Sequence, residues 1–311
     1  MTAVVRVLRG GTRASRLARW QTSRVVEALH GTSGGELACE EVFIATEGDR
    51  ILDRPLPEIG GKGLFTEALE AALRQGGIDF AVHSLKDLPV EQPDDLILAA
   101  IFARTDPRDV LIGRDRPTLA TLPRGATVGT SSTRRVAQLH AARPDLAVAS
   151  LRGNVDTRVR KALAGEYDAI VIAAAGVERL GLSEAIAEYL PYNVMLPAPG
   201  QGALAVQCRA ADGATRRLLE TLDDPIARAT TTGERTFLEA LGGGCAAPIA
   251  ALGEAIPARG APRLRLTGLV ASRDGARVIR TTGEAPLAGA SELARRLAEE
   301  ARDRGAAELL Q

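Results

Sequence analysis

The run Thr127-Val128-Gly129-Thr130-Ser131-Ser132-Thr133-Arg134-Arg135 reads as a short strand, a hydroxyl-rich turn and the start of a helix. Small hydroxyl residues suit a turn and a helix N-terminus, so the strand passes directly into the helix. Working outward, the pattern recurs. The run Leu146 to Leu151 leads to Arg152-Gly153-Asn154-Val155-Asp156-Thr157-Arg158 and a helix, and Ala169 to Ala173 leads to Ala174-Ala175-Gly176-Val177-Glu178-Arg179. Strands that alternate with helices predict parallel sheets in an α/β fold.

Upstream the reading is similar. Val4 to Leu8 predicts a buried strand, Gly10 to Ser15 a turn, Leu17 to Leu29 a helix and Cys39 to Ala45 a strand. Gly60-Gly61-Lys62-Gly63 opens a helix with an apolar face of Leu64, Ala68, Leu69, Ala72 and Leu73, and Gly76-Gly77 stops it. Ile78 to Val82 predicts a strand that delivers His83-Ser84-Leu85-Lys86-Asp87 at its carboxyl end, and Leu96 to Phe102 predicts another.

The polar run Arg104 to Asp109 reads as a crossing between domains, and Pro197-Ala198-Pro199-Gly200-Gln201-Gly202 as a second. Strand Ala203 to Gln207 would then return to the first sheet. After Asp223-Asp224-Pro225 come a helix from Arg235 to Leu241, three strands with an Asp274-Gly275 turn and a terminal helix, Ser291 to Ala306. The expected division is residues 1–103 with 201–222, a discontinuous α/β domain; 104–200, a second α/β domain; and 223–311, a small α+β domain.

In open α/β sheets ligands bind beyond the carboxyl ends of the strands, where helix N-termini present free N–H groups. Here those positions carry Arg13, Ser15, Lys62, Lys86, Thr130, Ser132, Arg134, Arg135, Arg152, Arg158 and Arg179. One basic residue at such a turn is ordinary solvated charge. A cation at nearly every such turn predicts an interdomain cleft for a ligand with several anionic groups, carboxylates or phosphates. Asp87 is the odd carboxylate among these cations. It could move protons or stabilise positive charge, or merely cap a turn and pair with Lys86.

Leu238-Glu239-Ala240-Leu241-Gly242-Gly243-Gly244-Cys245 allows two readings. The glycines could cap a helix before a small buried residue, or hold a reactive thiol out from its own domain. Other motifs fail. Gly60 to Gly63 lacks the spacing of a phosphate-binding loop, Gly200-Gln201-Gly202 follows prolines rather than a strand, and no His/Cys spacing suggests a metal. His83 is expected to be structural.

Bulk properties exclude several classes. Aromatics make up 3% and the formal net charge is zero, which argues against a nucleic-acid surface. No apolar run is long enough to span a bilayer, and Arg6 and Arg9 interrupt the first apolar stretch, so neither a membrane protein nor a signal peptide is expected. Three widely spaced cysteines, Cys39, Cys208 and Cys245, suggest a reducing compartment. A cytoplasmic protein is expected.

Gly-Gly-Lys-Gly-Leu-Phe (60–65), His-Ser-Leu-Lys-Asp (83–87), Gly-Thr-Ser-Ser-Thr-Arg-Arg (129–135), Leu-Arg-Gly-Asn-Val (151–155), Pro-Gly-Gln-Gly (199–202) and Gly-Gly-Cys (243–245) stand in the order seen in porphobilinogen deaminases, also called hydroxymethylbilane synthases. The chain resembles that family along essentially its whole length. The resemblance implies two periplasmic-binding-protein-like (type II) α/β domains around a cleft plus a small C-terminal α+β domain. It implies stepwise condensation of four porphobilinogen molecules with loss of ammonia, then hydrolysis to hydroxymethylbilane. It further implies a dipyrromethane cofactor joined by a thioether to Cys245, and a catalytic role for Asp87. Cofactor contacts would come from Lys86, Asp87, Thr130, Ser132, Arg134, Arg135 and Arg152, and substrate contacts from Arg13, Ser15, Arg152, Arg158, Arg179 and Lys62. The expected partners are porphobilinogen and the growing polypyrrole chain, with no metal, nucleic acid or membrane, and the expected state is a monomer. Glu58, Arg9-Gly10-Gly11 and Arg16 depart from the family pattern. The alternative from another class is a non-catalytic binding module for a multi-carboxylate ligand.

Overall fold

The computed structural model describes residues 7–32, 37–45, 66–244 and 247–310. Contacts divide them into two compact units. One holds the described residues within Met1–Asp53, Gly61–Arg104 and Ala203–Arg228, the other those within Thr105–Gly202 and Ala229–Gln311. The fold is mixed α/β, with two five-stranded sheets and a three-stranded C-terminal sheet backed by helices.

In the first unit, β1 (Val7–Thr12), α1 (Arg16–Thr32), β2 (Ala38–Phe43), α2 (Glu67–Arg74), β3 (Phe80–Ser84) and β4 (Leu96–Ile101) precede the excursion of the chain into the second unit. The first sheet has the order β2-β1-β3-β10-β4, where β10 is Leu204–Arg209. The return of the chain to this sheet occurs as expected from Ala203 onward. The expectation of parallel sheets is corrected to a mixed sheet. β1 runs parallel to β2 and β3, but β10 is antiparallel to both β3 and β4. It arrives from the second unit rather than through a crossover helix, and nothing forces it into the direction of its neighbours.

The first strand is also longer than the sequence suggested. Gly10 and Gly11 belong to β1, not to a turn. A Cβ on Gly10 would stand 2.5 Å from the Phe80 ring, and one on Gly11 2.3 Å from Ile78. Bulky neighbours fill the space that side chains would take, so glycine is a packing solution at both positions. Period-2 alternation buries both faces of β3. Phe80 and Val82 meet Leu8, Val25 and Leu29 on the α1 side, and Ala81 meets Leu69, Leu73 and Ile78 on the other.

In the second unit, β5 (Asp109–Ile112), β6 (Thr127–Gly129), α3 (Thr133–Ala142), β7 (Ala147–Ala149), α4 (Val155–Ala164), β8 (Ala169–Ala173), α5 (Ala174–Arg179) and β9 (Glu188–Tyr189) form a sheet of order β7-β6-β8-β5-β9. β6 is parallel to β7 and β8, while β5 is antiparallel to β8 and β9, so this sheet too is mixed. β8 is apolar throughout because Ala169 and Val171 enter one core and Ile170 and Ile172 the other.

The C-terminal part comprises α7 (Pro225–Ala240), β11 (Ile249–Ile256), β12 (Arg263–Ala271), β13 (Val278–Pro286), α8 (Ala290–Asp303) and α9 (Ala306–Leu309); α6 (Gly213–Glu220) belongs to the first unit. Asp224 caps α7, its Oδ1 accepting from Ala227 N at 2.7 Å, and Pro225 takes the first helical position. The antiparallel sheet buries both faces. Ile249, Ala251, Leu264, Leu266 and Val270 pack with Phe237 and the α8 leucines, whereas Ala250, Leu252, Leu269 and Ala271 pack on Ala137 of α3 and on Leu196. Among the described residues no helix is long and apolar enough to cross a membrane.

Candidate functional site

The described site residues expected in the first unit gather at the carboxyl ends of its inner strands. β1 and β3 are parallel neighbours, so the segments after Thr12 and after Ser84 lie at the same end. Ser15 caps α1: Ala18 N donates to its Oγ at 3.3 Å and Arg19 N to its carbonyl at 3.0 Å. Arg13 is half-buried beside it. From the same helix, Gln21 Nε2 donates to Ser84 Oγ at 2.8 Å and ties α1 to the end of β3.

Residues Leu85–Asp87 form a single 3-10 turn. Leu85 is fully buried and its N–H donates to Ala203 O at 3.0 Å, which fixes the turn to the chain entering β10. Lys86 is half-buried and Asp87 exposed. A buried apolar anchor thus carries an exposed carboxylate and a half-buried ammonium at the carboxyl end of β3. His83, one turn earlier, is buried as expected. Burial pushes its imidazole down to about 4, and the nearby Arg13 charge adds to the depression.

In the second unit, β6, β7 and β8 are parallel and end side by side. Ser132 N donates to Thr130 Oγ1 at 3.3 Å within the turn before α3. Ser131 Oγ accepts from Leu151 N at 3.0 Å and donates to Leu151 O at 2.9 Å, clamping this turn to the one that carries Arg152. Arg158, on α4, donates from Nε to Gly153 O at 2.7 Å. The structure therefore brings Thr130, Ser132, Arg152 and Arg158 together on adjoining turns.

Arg134, Arg135 and Arg179 are placed differently from solvent-facing cations. All three are buried. Arg134 Nη1 and Arg135 Nη2 each stand 2.7 Å from the Asp109 carboxylate, on Oδ2 and Oδ1 respectively. Burial opposes ionisation of Asp109, but the charges and hydrogen bonds of the two arginines outweigh it and hold the carboxyl well below the usual range. Arg179 Nη2 donates to Gly202 O at 2.7 Å and to Thr105 Oγ1 at 3.2 Å, and burial pushes its guanidinium down to about 10.

Two residues of this region carried no expectation. Asp109 was read as the end of a polar crossing, yet it opens β5 and is completely buried. The signal was available: an acidic residue directly before Val110-Leu111-Ile112 must enter the core with a cation. Gln201 was read only as part of a connection. Its Nε2 donates to Asp109 Oδ1 at 2.9 Å and to Pro107 O at 2.7 Å.

The end of α7 realises the glycine cap. Gly242 has φ +68°, its N–H donates to Glu239 O at 2.8 Å, and Gly243 N donates to Leu238 O at 3.1 Å. This paired pattern stops the helix and turns the chain away from its axis. Cys245 and Lys62 lie outside the described residues. Among the described residues no group of three or more His, Cys, Asp or Glu side chains could hold a metal ion.

Residues 8–217 match the family model described as porphobilinogen deaminase, dipyrromethane cofactor binding domain, and residues 229–303 match the one for the porphobilinogen deaminase C-terminal domain. The porphobilinogen deaminase of Roseiflexus castenholzii is 50% identical over 300 residues, covering 96% of this chain and 97% of its own. That of Brevibacillus brevis is 50% identical over 283 residues, 89% of each chain. Among solved structures, the periplasmic VFT2 domain of Bordetella pertussis BvgS covers 70% of this chain and 86% of its own at 16% identity, with a TM-score of 0.42, and adds no weight. The match through both domain models does not favour a binding module without chemistry. The chain belongs to the porphobilinogen deaminase family.

Proposed function

We propose that this enzyme condenses four porphobilinogen molecules stepwise, releasing ammonia, on a dipyrromethane held by a thioether to Cys245, and releases hydroxymethylbilane by hydrolysis. The observation that carries the chemistry is the Lys86–Asp87 turn, an exposed carboxylate on a buried anchor at the strand ends that also bear Arg13 and Ser15. Porphobilinogen carries an acetate and a propionate, so every added ring brings two carboxylates.

The residues present fit a cofactor of this kind. Among the described residues Arg134 and Arg135 share the single carboxylate of Asp109, which leaves one positive charge in excess inside a buried cluster. An uncompensated buried cation is costly, and an anionic ligand relieves it. Arg152 and Lys86 would add charged donors to the cofactor, and Thr130 and Ser132 hydroxyls. Arg13, Ser15, Arg152, Arg158, Arg179 and, from the sequence, Lys62 would hold the carboxylates of incoming substrate.

When bound, the dipyrromethane supplies the pyrrole chain to which each new ring is joined. Asp87 would stabilise the positive charge that develops as ammonia leaves the substrate aminomethyl group, and would accept or return the proton at the reacting pyrrole. Lys86 would hold a cofactor carboxylate beside it. Arginines suit the repeated task of gripping carboxylates because each offers a planar fork of donors. The glycine cap that ends α7, at Gly242, stands three residues before Cys245 in the sequence.

The same reading gives a monomer in the cytoplasm, divided into residues 1–103 with 201–222, 104–200 and 223–311. Free Cys39 and Cys208 accord with a reducing compartment. Ammonia release from porphobilinogen tests the reaction. Asp87→Asn should fold as the wild type does and lose about 100-fold or more in kcat; wild-type turnover in that variant would remove Asp87 from the chemistry.

A further inference from the structure

We infer that Asp109, fixed by Gln201, is the positioning residue that aims the Arg134–Arg135 pair at the ligand carboxylates, an inference that rests on the deaminase reading above. Arg134 and Arg135 are consecutive on α3, and consecutive helical side chains leave the axis about 100° apart. Left to the helix alone they would not converge. A shared acceptor brings them together.

Asp109 has the contacts for that task. Its Oδ2 accepts from Arg134 Nη1 at 2.7 Å; its Oδ1 accepts from Arg135 Nη2 at 2.7 Å, Arg135 Nε at 3.1 Å and Gln201 Nε2 at 2.9 Å. Four donors on two oxygens use the accepting capacity of a carboxylate, so Asp109 serves the arginines rather than a substrate. Its backbone is fixed as well, as the first residue of β5 paired with Ala173 of β8. Gln201 completes the brace by donating from the same Nε2 to Pro107 O at 2.7 Å.

The geometry of Arg134 gives the consequence. Its internal contacts, to Asp109 Oδ2, Leu196 O at 2.7 Å and Met195 Sδ at 3.7 Å, all fall on Nη1. The Nε–Nη2 edge is the side that would take a carboxylate two-pronged. Gln138 Nε2 also donates to Leu196 O at 3.0 Å, and Gln138 Oε1 accepts from Leu196 N at 2.8 Å, so the surface against which Arg134 is set is itself locked. Catalytic and binding groups held this way lose little freedom on engaging a ligand.

The test compares wild type, Asp109→Glu and Gln201→Met as full-length proteins. Glutamate keeps the charge but displaces the carboxylate by about 1.5 Å; methionine keeps the carboxylate but removes the brace. Three readouts are taken: intact mass of the folded fraction, thermal melting, and separate KM and kcat for porphobilinogen. Positioning predicts that both variants fold, that a smaller share carries the dipyrromethane mass, and that the loaded share shows KM raised roughly tenfold with kcat within about twofold. A purely structural counter-ion would lower the melting temperature and leave the loaded share and KM as in wild type. That outcome overturns the inference for whichever variants fold, and Gln201→Met alone decides it should Asp109→Glu not be recovered. A wild type that gains no adduct from porphobilinogen and releases no ammonia would instead overturn the deaminase reading itself.

Discussion

The N–H of Gly200 donates to Glu234 Oε2 at 2.7 Å, while Glu234 Oε1 accepts from Gly253 N at the same distance. One completely buried carboxylate on α7 thus holds both the segment that leaves the second sheet and a strand of the C-terminal sheet. The helix that ends in the Gly242–Gly244 cap is seated by this pair of bonds as well as by its apolar face.

Replacing that carboxylate by its amide sets an NH2 group against a backbone N–H. Glu234→Gln should therefore lose about 2 kcal/mol of stability, since a buried donor is left without an acceptor. Chemical denaturation measures the loss. A midpoint equal to that of wild type would show that the two bonds contribute nothing net.

Gly275 tests the contact between the C-terminal hairpin and α3. Its φ is +73°, and a Cβ there would lie 2.4 Å from Ala137 O and 2.5 Å from Ala141 N, both backbone atoms. Neither can move without distorting the helix that carries Arg134 and Arg135. Gly275→Ala should cost about 1–3 kcal/mol, from overpacking and the left-handed conformation together. The melting temperature falls if the hairpin turn is seated on α3, and stays put if the turn stands clear of it.

His83 gives a pH dependence with a definite sign. Burial holds its folded-state value at about 4, below the ordinary value of 6.5. Between those limits the unfolded chain takes up a proton that the folded protein refuses, so stability is complete above pH 6.5 and is lost as pH falls toward 4. The loss approaches roughly 3 kcal/mol. Asp109, depressed by its arginines, adds loss in the same direction only at more acidic pH. Denaturation curves from neutral to mildly acidic pH should be flatter for His83→Gln than for wild type; parallel curves would mean that the ring titrates alike in both states.

Much of this fold was legible where local pattern and tertiary environment agree. β6 and β8 occupy the residues read for them because each apolar run is bounded by turn residues and buried on both faces. β5 was missed because its first residue is charged, and only the distant Arg134 and Arg135 make Asp109 acceptable in a strand. The first half of α7 was missed because Thr230, Thr231, Thr232 and Gly233 read as a poor helix. The structure supplies the compensation: Thr230 and Thr231 are buried, and a Cβ on Gly233 would come within 3.3 Å of Leu264 on β12. At the site, the strand-end cations were visible one by one. Which of them are buried against a shared carboxylate was not, since that depends on a residue 25 positions away in the chain.

Attachment of a dipyrromethane to Cys245 is tested most directly by the intact mass of the purified protein under denaturing conditions. Wild type, as isolated or after incubation with porphobilinogen, should exceed its chain mass by two porphobilinogens less two ammonias, and Cys245→Ser should show the bare chain. An adduct that persists in Cys245→Ser, or a wild type that stays unmodified after porphobilinogen, would contradict it.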